Sequence, residues 1–149
     1  SGNSTVINST EGVLYAEISA LANDGTSRVF SISDGSSTNQ IIVRYYNATN
    51  SISAFIKVGG SFSASLSSSL TATDFNKIAF KYKENDFALW VNGIEVATDS
   101  SGSSYPAGTL NKLSFDRGDG ADIFYGKTKS LQVYTTALSD AELTSLTTI

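Results

Sequence analysis

The chain has 149 residues, a net charge of −4, 40% hydrophobic and 11% aromatic residues, no Cys, no His, no Met and one Pro. Its length fits one domain over residues 1–149, able to bury a core without disulfide or metal. The absences exclude a thiolate nucleophile, a zinc site of the usual ligands and a Ser-His-Asp triad, the acidic balance argues against a duplex nucleic-acid binder, and no run approaches the ~18 apolar residues of a membrane span.

Two-residue periodicity runs through most of the chain, the mark of half-buried strands. Residues 13–20 set Leu14, Ala16, Ile18 and Ala20 against Val13, Tyr15, Glu17 and Ser19. Residues 28–33 follow and close on the turn Asp34-Gly35. Residues 40–46 alternate Ile41, Val43 and Tyr45 with Ile42, Arg44 and Tyr46, and residues 51–58 group Ile52, Ala54, Ile56 and Val58 before Gly59-Gly60. In residues 61–66, Phe62, Ala64 and Leu66 are expected on one face and Ser61, Ser63 and Ser65 on the other. Residues 77–83 turn Ile78, Phe80 and Tyr82 inward, and residues 87–91 do the same with Phe87, Leu89 and Val91. Asn92-Gly93 is a strong two-residue hairpin signal and leads into a strand at 94–98.

Residues 99–108, rich in Ser and Gly, read as a loop. Residues 110–115 and 123–134 supply the last strands. Ser139 followed by Glu142 is a capping-box pattern, and Ala141, Leu143 and Leu146 suit a short helix closing the open end of the sandwich. The pattern predicts an all-β fold, an antiparallel two-sheet β-sandwich or jelly roll with one short C-terminal helix. The twenty-five Ser and fifteen Thr residues would coat its outside.

The residues Phe75-Asn76-Lys77-Ile78-Ala79-Phe80-Lys81-Tyr82 and Phe87-Ala88-Leu89-Trp90-Val91-Asn92-Gly93 resemble the concanavalin A-like lectin and laminin G-like superfamily. So do Phe124-Tyr125-Gly126-Lys127, Leu131-Gln132-Val133-Tyr134 and the run Ala137-Leu138-Ser139-Asp140-Ala141-Glu142-Leu143. The resemblance covers about the last half of the chain and implies the jelly-roll fold. Gly126 is expected at a bulge or a close backbone approach. Glucanases of this superfamily carry paired carboxylates on one strand. Here Glu17, Glu84, Glu95 and Glu142 stand without such partners, and retaining chemistry needs two carboxyls ~5–5.5 Å apart. The lyases of the superfamily use His, which is missing. The chain is therefore read as non-catalytic.

Sugar binding fits the composition better. Sugar rings stack their C–H faces on aromatics and offer hydroxyls to Asn, Gln and Arg. Tyr15, Tyr46, Phe55, Trp90 and Tyr105 lie in the outward phase, with Arg44, Asn92 and Gln132 as polar partners. The expected ligand-binding set is Trp90, Asn92, Tyr46, Arg44 and Tyr105, the alternative for each ring being burial against a neighbouring layer. Asp116, Asp119 and Asp122 in a Gly-rich loop are candidate Ca²⁺ ligands, although their spacing suits a solvated turn better. Asp24-Gly25 and Asp34-Gly35 read as ordinary turns. The sequons Asn3-Ser4-Thr5, Asn8-Ser9-Thr10 and Asn47-Ala48-Thr49 would matter only in a eukaryotic secretory route.

The expectation is a non-catalytic glycan-binding module of an extracellular, cell-surface or virion protein, with no membrane insertion. Ser1-Gly2 and the ending Thr147-Thr148-Ile149 read as limits of a piece taken from a longer chain. The alternatives are an adhesive module of a bacteriophage tail or capsid fibre, oligomeric within a larger assembly, and a laminin G-like protein-binding domain.

Overall fold

A computed structural model describes residues 5–149. Ser1-Gly2 and most of the sequon Asn3-Ser4-Thr5 lie outside the described residues. Among those residues the order is β1 (Glu11–Ala20), β2 (Arg28–Ser33), β3 (Gln40–Tyr45), β4 (Ser51–Val58), β5 (Ser61–Ser69), β6 (Asn76–Lys83), β7 (Phe87–Val91), β8 (Ile94–Asp99), β9 (Lys112–Ser114), β10 (Gly126–Tyr134) and α1 (Asp140–Thr147). The strands form two five-stranded antiparallel sheets, β10-β1-β6-β7-β8 and β5-β4-β3-β2-β9.

The alternation turns into a core because one face of each sheet packs on the other. Leu14, Ala16, Ile18, Ile78, Phe80 and Tyr82 from the first sheet meet Phe30, Ile32, Ile41, Val43, Ile52 and Ile56 from the second, all at most 1% exposed. Tyr82 donates its hydroxyl to the Asn8 carbonyl at 2.7 Å. Burial pushes its phenol well above the ordinary range.

Three expectations need correction. The Ser61–Ser69 strand does not keep Phe62 with Ala64 and Leu66. The Gly59-Gly60 turn pairs Lys57 with Phe62, and a bulge at Ser63 then brings Ala64 opposite Ile56. One extra residue reverses the face, so Phe62 stands outside, 62% exposed, while Ala64 and Leu66 stay in the core. Residues 123–125 precede the last strand instead of belonging to it. Phe124 turns inward and stacks on Phe30 at 4.4 Å, and the strand begins at Gly126, which makes the close backbone approach expected of it: a Cβ there would lie 2.5 Å from the Ser19 carbonyl oxygen.

The third correction concerns α1. Its capping box forms, with Glu142 N–H donating to Ser139 Oγ at 3.3 Å and Ser139 N–H to Glu142 Oε2 at 2.9 Å. The helix does not close the end of the sandwich. It lies on the outer face of the first sheet, where Leu143 packs with Val13, Tyr15, Ala79, Ala88 and Trp90. Ala141 is exposed, and Thr147 takes the buried position instead.

Candidate functional site

The outer face of the first sheet is partly closed by α1, whereas no helix lies on the second sheet among the described residues. Its outward positions follow from register: Val29 and Ser31 on β2, Ile42 and Arg44 on β3, Ser53, Phe55 and Lys57 on β4, and Phe62, Ser65 and Ser67 on β5. Val29, Ile42 and Phe55 form a small apolar floor, each at most 4% exposed.

One half of that face is covered. The loop over residues 116–122 is strapped to it by Ser31 Oγ donating to the Asp116 carbonyl at 2.7 Å, Gln40 Nε2 donating to the Arg117 carbonyl, and Lys112 Nζ donating to the Gly118 carbonyl at 3.2 Å. Gly118 has φ +94, and a Cβ there would meet Ser33 Oγ at 2.5 Å, so glycine lets the loop lie this close. The other half, over β3, β4 and β5, stays open.

The open half carries a ladder of rings and cations. The Arg44 guanidinium carbon sits 3.6 Å from the centre of the Tyr46 ring and 4.8 Å from that of Phe55. Phe55 meets Phe62 edge-on at 5.0 Å, and Lys57 Nζ lies 5.5 Å from the Phe62 ring. Arg44 Nε donates to Ser53 Oγ at 3.1 Å, which fixes the guanidinium plane. Partial burial pushes the Arg44 guanidinium down, opposed by Tyr46 and Asp122, and an arginine remains a cation. The exposed Phe62 ring, the partly exposed Tyr46 ring, small hydroxyls at Ser53, Ser65 and Ser67, and two cations are thus gathered on one surface.

Of the expected binding set, Arg44 and Tyr46 lie on this ladder, and Tyr46 is 39% exposed. Trp90 does not. It is 6% exposed beneath Leu143, and its buried Nε1 has no hydrogen-bond partner. A ring under a helix cannot stack on a sugar. Tyr105 is also in the core, its hydroxyl between the carbonyls of Gln40, at 2.8 Å, and Lys57. Asn92 is committed to the fold: with φ 51 in the β7–β8 turn, it accepts from Lys77 N–H and donates to Asn76 Oδ1, both at 2.9 Å. Tyr15 is buried in the cluster with Trp90. Gln132 bonds along β10 to Ser130 and Tyr134.

The acidic loop is an ion-paired turn. Arg117 holds Asp119 at 2.7 Å and Asp122 at 3.4 Å, and its guanidinium keeps the Asp119 carboxyl below the ordinary range. Asp116 accepts from Gly118 N–H. Among the described residues no group of three or more acidic side chains is arranged to hold a metal ion. Two of the three candidate Ca²⁺ ligands, Asp119 and Asp122, are thus engaged by Arg117, the arrangement of the turn that their spacing already suited better. Asp24 and Asp34 close ordinary turns, each accepting from the backbone N–H two residues on.

Phe62 and Lys57 were missed by sequence reasoning, yet a signal was present. A two-residue Gly59-Gly60 hairpin fixes the pairing across it, and counting outward from that turn puts Phe62 opposite Lys57. A second concavity, about 400 Å³, lies at the rim between Thr10, Glu84, Ser103, Ser104, Tyr105 and Pro106. Its one aromatic residue, Tyr105, is buried, so it offers no ring face for stacking.

Solved structures with this fold include the CBM40 domain of Ruminococcus gnavus IT-sialidase bound to α2,3-sialyllactose, at TM-score 0.75 and 20% identity over 94% of this chain and 83% of that one. Domain 4 of AbnA, a GH43 extracellular arabinanase from Geobacillus stearothermophilus, in complex with arabinotriose, aligns at TM-score 0.61 and 12% identity over 98% and 70%. The mouse laminin α1 chain domains LG4-5 align at TM-score 0.58 and 10% identity over 89% and 37%. No curated protein matches the chain in sequence. A family model described as the concanavalin A-like lectin/glucanases superfamily matches residues 4–144, in agreement with the two sheets and their connectivity, and the chain belongs to that superfamily.

Proposed function

We propose that this chain is a non-catalytic carbohydrate-binding module and that its site is the open outer face of β3, β4 and β5. The observation that carries the reading is the ladder Tyr46–Arg44–Phe55–Phe62–Lys57. Phe62 presents an exposed ring to a sugar's C–H face, Arg44 is a donor already fixed by Ser53 and two rings, and the serines around them accept or donate to hydroxyls. Little ordering is left to occur on binding, which favours affinity. Two solved neighbours bear on the same reading, since one is titled as bound to sialyllactose and another as in complex with arabinotriose. The module would work outside the cell or at its surface, where polysaccharides are met.

A glycan array with the wild-type chain, followed by titration calorimetry on its strongest ligand, tests this. Phe62→Ala and Arg44→Ala should each weaken binding at least tenfold, the loss expected of a central aromatic or arginine anchor. Unchanged binding in both variants would remove the site from this face.

A further inference from the structure

We infer that the ligand is an acidic oligosaccharide with at least two anionic groups, carboxylate or sulfate, one met by Arg44 and another by Lys57. The inference rests on the glycan-binding reading of the same face. The chain has ten Lys and Arg residues, and seven of them hold a carboxylate or a main-chain carbonyl. Among the described residues the three left are Arg44, Lys57 and Lys127. Two of these three stand on one face of one sheet, in a protein whose net charge is −4.

Their setting selects for an anion. The Arg44 guanidinium lies against the rings of Tyr46 and Phe55, and its Nε is taken by Ser53. Rings against a guanidinium leave its terminal N–H edge free, and that edge matches two oxygens of a carboxylate or sulfate. A sugar hydroxyl would use only one of those donors. Asp122 is close enough to act on Arg44, but it makes its ion pair with Arg117, at 3.4 Å, and the Arg117 charge opposes it at Arg44.

Spacing sets the ligand's length. Arg44 pairs across the sheet with Ser53, and Lys57 lies four residues further along β4, about 13 Å of strand. The ring pair Phe55–Phe62 fills the interval. A single acidic sugar reaches one cation and one ring; a run of sugars with a repeated acid reaches both.

The test compares hexasaccharides of polygalacturonate and of heparin with neutral cellohexaose, and the monomeric acid with the hexamer, by calorimetry at 50 and 200 mM salt. Wild type is compared with Lys57→Gln, Phe62→Ala and the control Lys127→Gln. The expected result is preference for an acidic hexamer over both neutral hexamer and acidic monomer, weakened by salt, roughly tenfold weaker in Lys57→Gln and unchanged in Lys127→Gln. Cellohexaose binding as tightly, with loss only in Phe62→Ala, would overturn the acidic ligand and leave the glycan-binding face standing. Equal weakening in Lys127→Gln would reduce the effect to diffuse charge and overturn the inference. An acidic monomer binding as well as the hexamer would overturn the two-anion claim. No binding to either acidic hexamer would overturn the acidic ligand, whereas silence across the whole glycan array as well would overturn the glycan-binding reading beneath it.

Discussion

Replacing Trp90 and Phe62 by Ala, one at a time, separates the two outer faces of the sandwich. Both aromatics point away from the central core, but Trp90 is 6% exposed and Phe62 is 62% exposed. Trp90 fills the space between α1 and the first sheet, against Val13, Tyr15, Ala79, Ala88 and Leu143. Truncating such a ring leaves a cavity and costs about 3–5 kcal/mol, a fall in Tm of about 6–20 °C for a chain of this size. Phe62 gives up one edge-on contact with Phe55 and one cation contact with Lys57, together about 1–2 kcal/mol and about 2–8 °C. Binding should change in the opposite order. Phe62→Ala should lose about 2 kcal/mol of affinity or more, whereas Trp90→Ala, measured below its lowered Tm, should bind as wild type. Scanning calorimetry and titration calorimetry on the same samples give both numbers. A stable Trp90→Ala chain that no longer binds, beside a Phe62→Ala chain that does, would refute the assignment of faces.

Three other outcomes follow from the same contacts. Asp24 accepts from the buried Arg28 side chain at 2.9 Å and from Thr26 N–H, which hold its carboxyl well below the ordinary range; because the folded value is depressed, this stabilisation is present above about pH 4 and is lost as pH falls towards the folded value, so Asp24→Asn should flatten the acid limb of Tm against pH, and an unchanged limb would remove Asp24 from it. Tyr105→Phe takes the donor from two buried carbonyls, Gln40 and Lys57, and should cost about 1–3 kcal/mol in urea unfolding. Since Arg117 occupies the acidic loop, millimolar Ca²⁺ or EDTA should leave both Tm and glycan binding unchanged, and a clear rise in Tm with Ca²⁺ would contradict the ion-paired turn.

How much of this was legible depends on the distance over which each residue's fate is decided. Leu14, Ile18, Ile78 and Phe80 alternate because an antiparallel sheet with one packed face imposes a two-residue period, so their burial can be read locally. The Ser139–Glu142 box is local too, and it formed. Trp90 was misread because its surroundings are supplied by a helix some fifty residues later in the chain. Tyr105 was misread for a related reason: the carbonyls that take its proton belong to β3 and β4. Phe62 failed on register, where a single bulge reverses the outcome. In the acidic loop the signal was adjacent and unused, since Arg117 stands between Asp116 and Asp119 in the same turn.

The two sheets leave the same kind of surface outside, and what lies upon it decides whether it can hold a ligand. On the first sheet the apolar patch around Trp90 is consumed by Leu143 of α1. On the second sheet the patch of Val29, Ile42 and Phe55 is covered on one side by a loop that Gly118 allows to lie flat. On its other side the cover is made of side chains, Arg44 and Phe62, that rest on Phe55 without hiding their own polar edge or ring face. A helix in that place would satisfy the apolar floor and bury it for good. An arginine and an exposed phenylalanine satisfy it only in part, and the remainder of their bonding capacity faces outward, where the proposed charged sugar would complete it.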